Sequence, residues 1–252
     1  MALDQWPSMA VHDAKQFEAA RHQLHSAVQW LARIERSYGS QNGGGERVTL
    51  RWQAARSAIT TGPLEGNLTL ELRLPEIILQ FREDGEMSNH PFDVAEHSPA
   101  HIEAWLLVEL LHRGIDRTRF SKALPYDVSG LLSGDGVEFS PKAYEKELGA
   151  LTLWFSRAAS ALAEASDRSG VDQKQAVTVQ PDDLSLEAAK NTTHIIGFKA
   201  SGKRVSEPFF YIRRRDRSDE AAAGPGEDVL PVSQIAAQGD GTRVVAQFLT
   251  GT

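Results

Sequence analysis

Phe17, Leu24, Val28, Leu31 and Tyr38 recur at helical steps through residues 11–38, with Arg, Glu and Gln between them. That spacing puts apolar groups on one face, so it predicts a long amphipathic helix. Gly39 stops it, and Ser40 to Gly45 reads as a loop. The period then changes to two. Val48, Leu50 and Trp52 alternate with Thr49 and Arg51, which predicts a half-buried strand that Arg56 to Thr61 extends. Gly62-Pro63 is a turn. Leu68, Leu70, Leu72 and Leu74 share one face of the next strand, with Thr69, Glu71 and Arg73 on the other. Pro75-Glu76 connects it to Ile77–Arg82, and Asp84-Gly85 ends the run. The pattern is an antiparallel meander with one wet face.

Ser98-Pro99 opens a helix, with Ser as its cap and Pro at the first helical position, and Gly114 closes it. Residues 115–139 hold short pieces and turns. Ser140-Pro141 repeats the cap and starts a helix to about Asp167, with Tyr144, Leu148, Leu151, Phe155, Ala158 and Leu162 inward. Residues 166–176 are a polar linker, the place where a division of the chain would fall. Strands are expected at 176–179, 193–199 and 208–214, a loop at 219–228 and a terminal helix at 231–249. Helices and strands come in blocks, which predicts an α+β fold: one domain over 1–252, an antiparallel sheet with long helices packed on one face, in two layers.

A chain of 252 residues with 41% apolar and 24% charged residues has ordinary globular composition. It has no cysteine, which excludes disulfides, thiolate metal sites and Cys nucleophiles. No stretch approaches the length of a membrane span, and the N-terminus lacks the basic and apolar regions of a signal peptide. A cytoplasmic protein without membrane partners is expected. The net charge of −7 disfavours nucleic-acid partners.

Gly197-Phe-Lys-Ala-Ser-Gly202-Lys203-Arg204 nearly fits a phosphate-binding loop, but Arg204 replaces the metal-ligating hydroxyl and no helix follows. It reads as a hairpin tip. His90, His97 and His101 cluster beside Asp93, Glu96 and Glu103. Three converging donors of this kind could hold zinc or iron, although only His101 lies inside the helix. Glu109 interrupts an apolar helix. A general acid or base is one reading, and an ion pair with Arg113 one turn on is the preferred one. Arg213 to Arg217 reads as a solvated strand end.

Residues 180–211 resemble a family of bacterial proteins of unknown function. The similar pieces are Pro181 with Asp182-Asp183-Leu184-Ser185-Leu186, then Ile196-Gly197-Phe198, then Glu207-Pro208-Phe209-Phe210-Tyr211. Gln180 stands where the family pattern has Trp, and Ser185 where it has Asp. The resemblance implies a conserved α+β fold and transfers no catalytic residue or cofactor.

Two functions follow. The first is a non-catalytic module binding a small molecule or protein. The second is a metal-dependent enzyme using His90, His97 and His101. A ligand pocket would be lined by 208–214 and the strand carrying Trp52. Phe209, Tyr211 and Arg213 fall on one face there, and Glu207 and Arg213 add charge. The competing reading is that the terminal helix covers this face.

Overall fold

A computed structural model describes residues 6–9, 12–39, 48–167, 177–202, 205–215 and 228–251. The Gly-rich loop after Gly39, most of the 166–176 linker, Lys203, Arg204 and most of the 219–228 loop lie outside the described residues. The chain divides into two compact units. The N-proximal unit is Ala14–Gly149 with Gln180–Asp183, and the C-proximal unit is Met1–Asp13, Ala150–Val179 and Leu184–Thr252.

In the N-proximal unit, α1 (Ala14–Tyr38) packs on a meander of β1 (Leu50–Gln53), β2 (Ala58–Thr60), β3 (Leu68–Arg73) and β4 (Ile78–Glu83). Every pairing among these strands is antiparallel. Trp52, Ile59, Leu72 and Leu79 stand in one row across them. The row belongs to the apolar face, where Leu50, Leu70 and Phe81 are also buried. Residues 56–61 do not continue β1 as expected. A 3-10 turn at Ala54–Arg56 reverses the chain, and β2 pairs back on β1. β5 (Glu86–Met87) and β6 (Phe92–Asp93) pair with β4. α2 (Pro99–His112) begins after Ser98 with Pro at its first turn, as its sequence predicts. Its Trp105 ring meets Phe81 and Phe92.

α1 is buried on more than its apolar stripe, because it also anchors irregular chain. Ser26 Oγ accepts from the Leu132 amide at 3.1 Å, and Gln23 Oε1 from the Ser140 amide at 3.0 Å. Gln29 Nε2 donates to the Pro181 carbonyl at 2.7 Å, and His25 Nε2 meets the same oxygen at 2.9 Å. Tyr126 donates to Gln29 Oε1 at 3.0 Å. These bonds satisfy backbone groups that no ladder reaches. Burial pushes the His25 imidazole below its usual range, against the opposing pull of the Pro181 bond. The folded state therefore binds fewer protons than the unfolded chain below about pH 6.5, and stability falls as pH drops through that value. Thermal melts at about pH 7.5 and 5.5 should show a fall in midpoint that is smaller in His25→Gln than in the parent. Equal falls would remove His25 as the source.

In the C-proximal unit, β8 (Ser185–Ala189), β9 (His194–Lys199), β10 (Phe209–Arg214) and β11 (Asp228–Pro231) pair antiparallel in that order. β7 (Thr178–Gln180) neighbours β8, with Thr178 Oγ1 donating to the Glu187 carbonyl at 3.2 Å. Leu186, Phe198, Phe210 and Leu230 form one row across the sheet. α3 (Glu145–Asp167) covers that row: Trp154 stacks on Phe198, and Phe155 meets it edge-on. Trp6 wedges against Trp154 and Phe210. The expected terminal helix is two pieces, α4 (Val232–Ala236) and α5 (Gly241–Thr250), broken where Asp240 caps α5 through the Arg243 amide. Gly241 is required there, since a Cβ would lie 2.7 Å from the Trp6 ring.

The α+β class holds, with eleven antiparallel strands and five α-helices among the described residues. No helix among those residues is long and apolar enough to cross a membrane.

Candidate functional site

The two-residue period of β10 sends Phe210 to the α3 side and Tyr211 and Arg213 to the opposite face. There Glu187, brought opposite by the β8–β9–β10 register, gathers them. Tyr211 donates to Glu187 Oε1 at 2.8 Å, and Arg213 donates to the same oxygen through Nη2 at 2.7 Å and Nε at 3.2 Å. All three residues are buried, with Tyr211 only 1% exposed. The Lys199 ammonium stands 5.5 Å from the Tyr211 ring centre. Gly197 lies in β9 opposite Tyr211, and a Cβ there would fall 2.2 Å from the ring. The glycine that suggested a phosphate loop is therefore a strand residue on which a tyrosine lies flat. The terminal helix does not supply the cover expected for Tyr211. α5 packs beside Trp6 and α3, on the Phe210 side.

The last residues of β10 leave this network and form the wall of a groove of about 640 Å³. Its apolar floor is Ile212, Val229 and Phe248, each half-buried. Lys190, His194 and Arg214 supply cationic or donor groups around it, with Asp228 the one carboxylate among the described lining residues. The Asn191 turn orders this rim. Its Oδ1 accepts from the amides of Thr193 at 2.9 Å and His194 at 2.7 Å. Thr193 Oγ1 lies 2.9 Å from His194 Nδ1, fixing the ring. Lys190 Nζ would stand 3.5 Å from a Cβ at Gly251, which places the ammonium at the C-terminal turn of α5, where carbonyl dipoles favour it.

Of the four residues expected to bind ligand, Arg213 lines this groove, and Tyr211 is its strand neighbour in the buried network. Glu207 accepts from the Ser233 amide and hydroxyl, both at 2.8 Å, and so holds the start of α4. Trp52 is in β1 of the N-proximal unit, buried on the apolar face.

The three histidines take separate duties. His97 Nδ1 meets the Ala95 carbonyl at 2.8 Å, and His101 Nδ1 lies 3.2 Å from Ser98 Oγ, with the two rings edge to face at 5.7 Å. His90 turns to Glu109, its Nδ1 3.5 Å from Oε1. Glu109 also makes the expected pair with Arg113 at 2.7 Å, and Arg113 in turn reaches Glu83 at 2.7 Å. His90, His112, Arg113 and Glu83 line a groove of about 780 Å³ in the N-proximal unit. Among the described residues no group of three or more His, Asp or Glu is assembled to hold a metal ion.

No protein-family model, no curated protein and no solved structure matches this chain. Sequence reasoning missed Lys190, His194 and Phe248. Nothing in their spacing links them, because the groove draws them from a turn, a strand start and a helix that meet only once β8 to β11 are in register.

Proposed function

We propose that the protein is a non-catalytic binding module of the bacterial cytoplasm. It takes up a small molecule with an anionic group on an apolar or aromatic body. The observation that carries this reading is the C-proximal groove, in which Lys190, His194 and Arg214 border a floor of Ile212, Val229 and Phe248. A groove of about 640 Å³ falls within the range of small-molecule sites. Cationic groups beside apolar surface select amphipathic anions, since the body is desolvated on the floor while its charge meets guanidinium or ammonium. The same reading keeps the chain with the uncharacterised bacterial proteins that residues 180–211 resemble.

Anilinonaphthalene sulfonate, an aromatic sulfonate, is a direct probe. Its fluorescence should rise saturably with the folded protein at one site per chain. The double variant Lys190→Gln/Arg214→Gln should weaken binding by about tenfold or more, the scale of a lost charge-assisted contact. A saturation curve that the double variant leaves unchanged, or no saturation at all, would refute the assignment.

A further inference from the structure

The face of the N-proximal meander opposite the apolar row carries arginines around a buried polar centre of Thr60, Glu71 and Gln80. Strand alternation sends Arg51, Thr60, Glu71 and Gln80 to the side away from the apolar row, and the register sets them in a line across β1 to β4. Thr69 and Arg82 form the next rung. Arg56 adds a third guanidinium from the 3-10 turn. Arg51, Arg56 and Arg82 border a groove of about 370 Å³, with Asn67 and Thr69 among its other polar linings. Two carboxylates oppose them. Asp84, at the rim, accepts from Asn67 Nδ2 at 2.9 Å. Glu71 lies beneath, fully buried, with Oε2 3.2 Å from Arg56 Nε and 3.7 Å from Arg82 Nη1.

The buried carboxylate positions two of the guanidiniums. It holds Arg56 through Nε, which leaves the Arg56 Nη pair outside the contact, while Arg82 faces it with Nη1 and donates to the Gly85 carbonyl through Nη2. The Arg51 side chain faces the groove outside this pairing. Glu71 and Asp84 answer about two of the three units of positive charge, so the groove presents about one to a ligand. Apart from Pro63, the lining side chains are polar. Planar forks beside hydroxyl and amide groups match the oxygens of a phosphoryl group.

We propose that this face binds a small, wholly polar anion of phosphate chemistry, at a site separate in residues and ligand class from the C-proximal groove. The match is to phosphate or pyrophosphate groups. The chain's net charge of −7 opposes a nucleic-acid backbone.

Isothermal titration of the full chain with pyrophosphate, inorganic phosphate and citrate tests the proposal. Pyrophosphate should bind saturably at one site, phosphate more weakly, and both should weaken as salt is raised. Arg51→Gln should weaken pyrophosphate by about tenfold or more. Arg56→Gln should also weaken it, and Lys190→Gln should leave it unchanged. Arg51 stands outside the Glu71 pairing, so this variant keeps the test valid if Arg82→Gln fails to fold. No saturable phosphate or pyrophosphate binding would overturn the site. Citrate binding alone would overturn the ligand class. Binding lost in Lys190→Gln but kept in Arg51→Gln would return the anion to the other groove.

Discussion

Leu72→Asp should leave no folded protein. Leu72 is fully buried in the middle of β3, between Ile59 of β2 and Leu79 of β4. Removing a buried leucine side chain costs about 2–5 kcal/mol. Burying a carboxylate without partners costs several more, or forces it to take up a proton. Together these match the whole stability of a typical domain, about 5–15 kcal/mol. The adjacent residue shows what a carboxylate needs in this strand. Glu71 is equally buried but faces the other way, toward Arg56 and Arg82. An aspartate at 72 would meet only the apolar row. Circular dichroism and soluble yield measure the outcome, with Leu72→Met as a companion expected to lose less than about 1.5 kcal/mol. A soluble Leu72→Asp protein with an unshifted thermal midpoint would reject the meander register.

Tyr211→Ala should cost about 3–5 kcal/mol, the loss associated with truncating a large buried aromatic. The ring fills the space over Gly197, and its hydroxyl is one of the donors gathered on Glu187 Oε1. Tyr211→Phe keeps the ring and removes that one hydrogen bond, so about 1–2 kcal/mol is expected from it. Gly197→Ala should be strongly destabilising alone, because its Cβ would enter the Tyr211 ring. In the Tyr211→Ala background the same substitution should cost far less, since the obstructing ring is gone. Denaturant midpoints of the four proteins in this cycle measure the coupling. Additive losses would mean that the ring does not lie on the glycine.

Where a segment had one buried face, its period was legible. The leucines of β3, the helical steps of α1 and the Ser98-Pro99 start of α2 all appear as read. Segments buried on both faces were not. All of Ser185–Ala189 is buried in β8, so it shows no alternation to mark a strand. β11 is four residues long, too short for a period to repeat. The candidate sites failed for a related reason. Alternation placed Arg51 and Glu71 opposite the apolar faces, but only the register sets them in one row, with Arg82 on the next rung. His90 sits in a loop sequence close to His97, yet its ring goes to Glu109 on α2. Clustering along the chain gave the wrong neighbour because a loop residue's direction is set by what it packs against. Tyr211 and Arg213 were placed together correctly by the strand period. Glu187, the carboxylate that binds them, lay in a strand the pattern did not reveal.

The facing of Gly197 and Tyr211 also bears on how relatives of this protein can diverge. Each position restricts the residue that the other can hold. A lineage that acquires a side chain at the position of Gly197 must first, or soon after, replace the tyrosine opposite with something smaller. A lineage that keeps the tyrosine keeps the glycine. The two positions should therefore change together across descendants, although they lie in different strands. Their joint variation would preserve a record of the β9–β10 register in any sequences that share it.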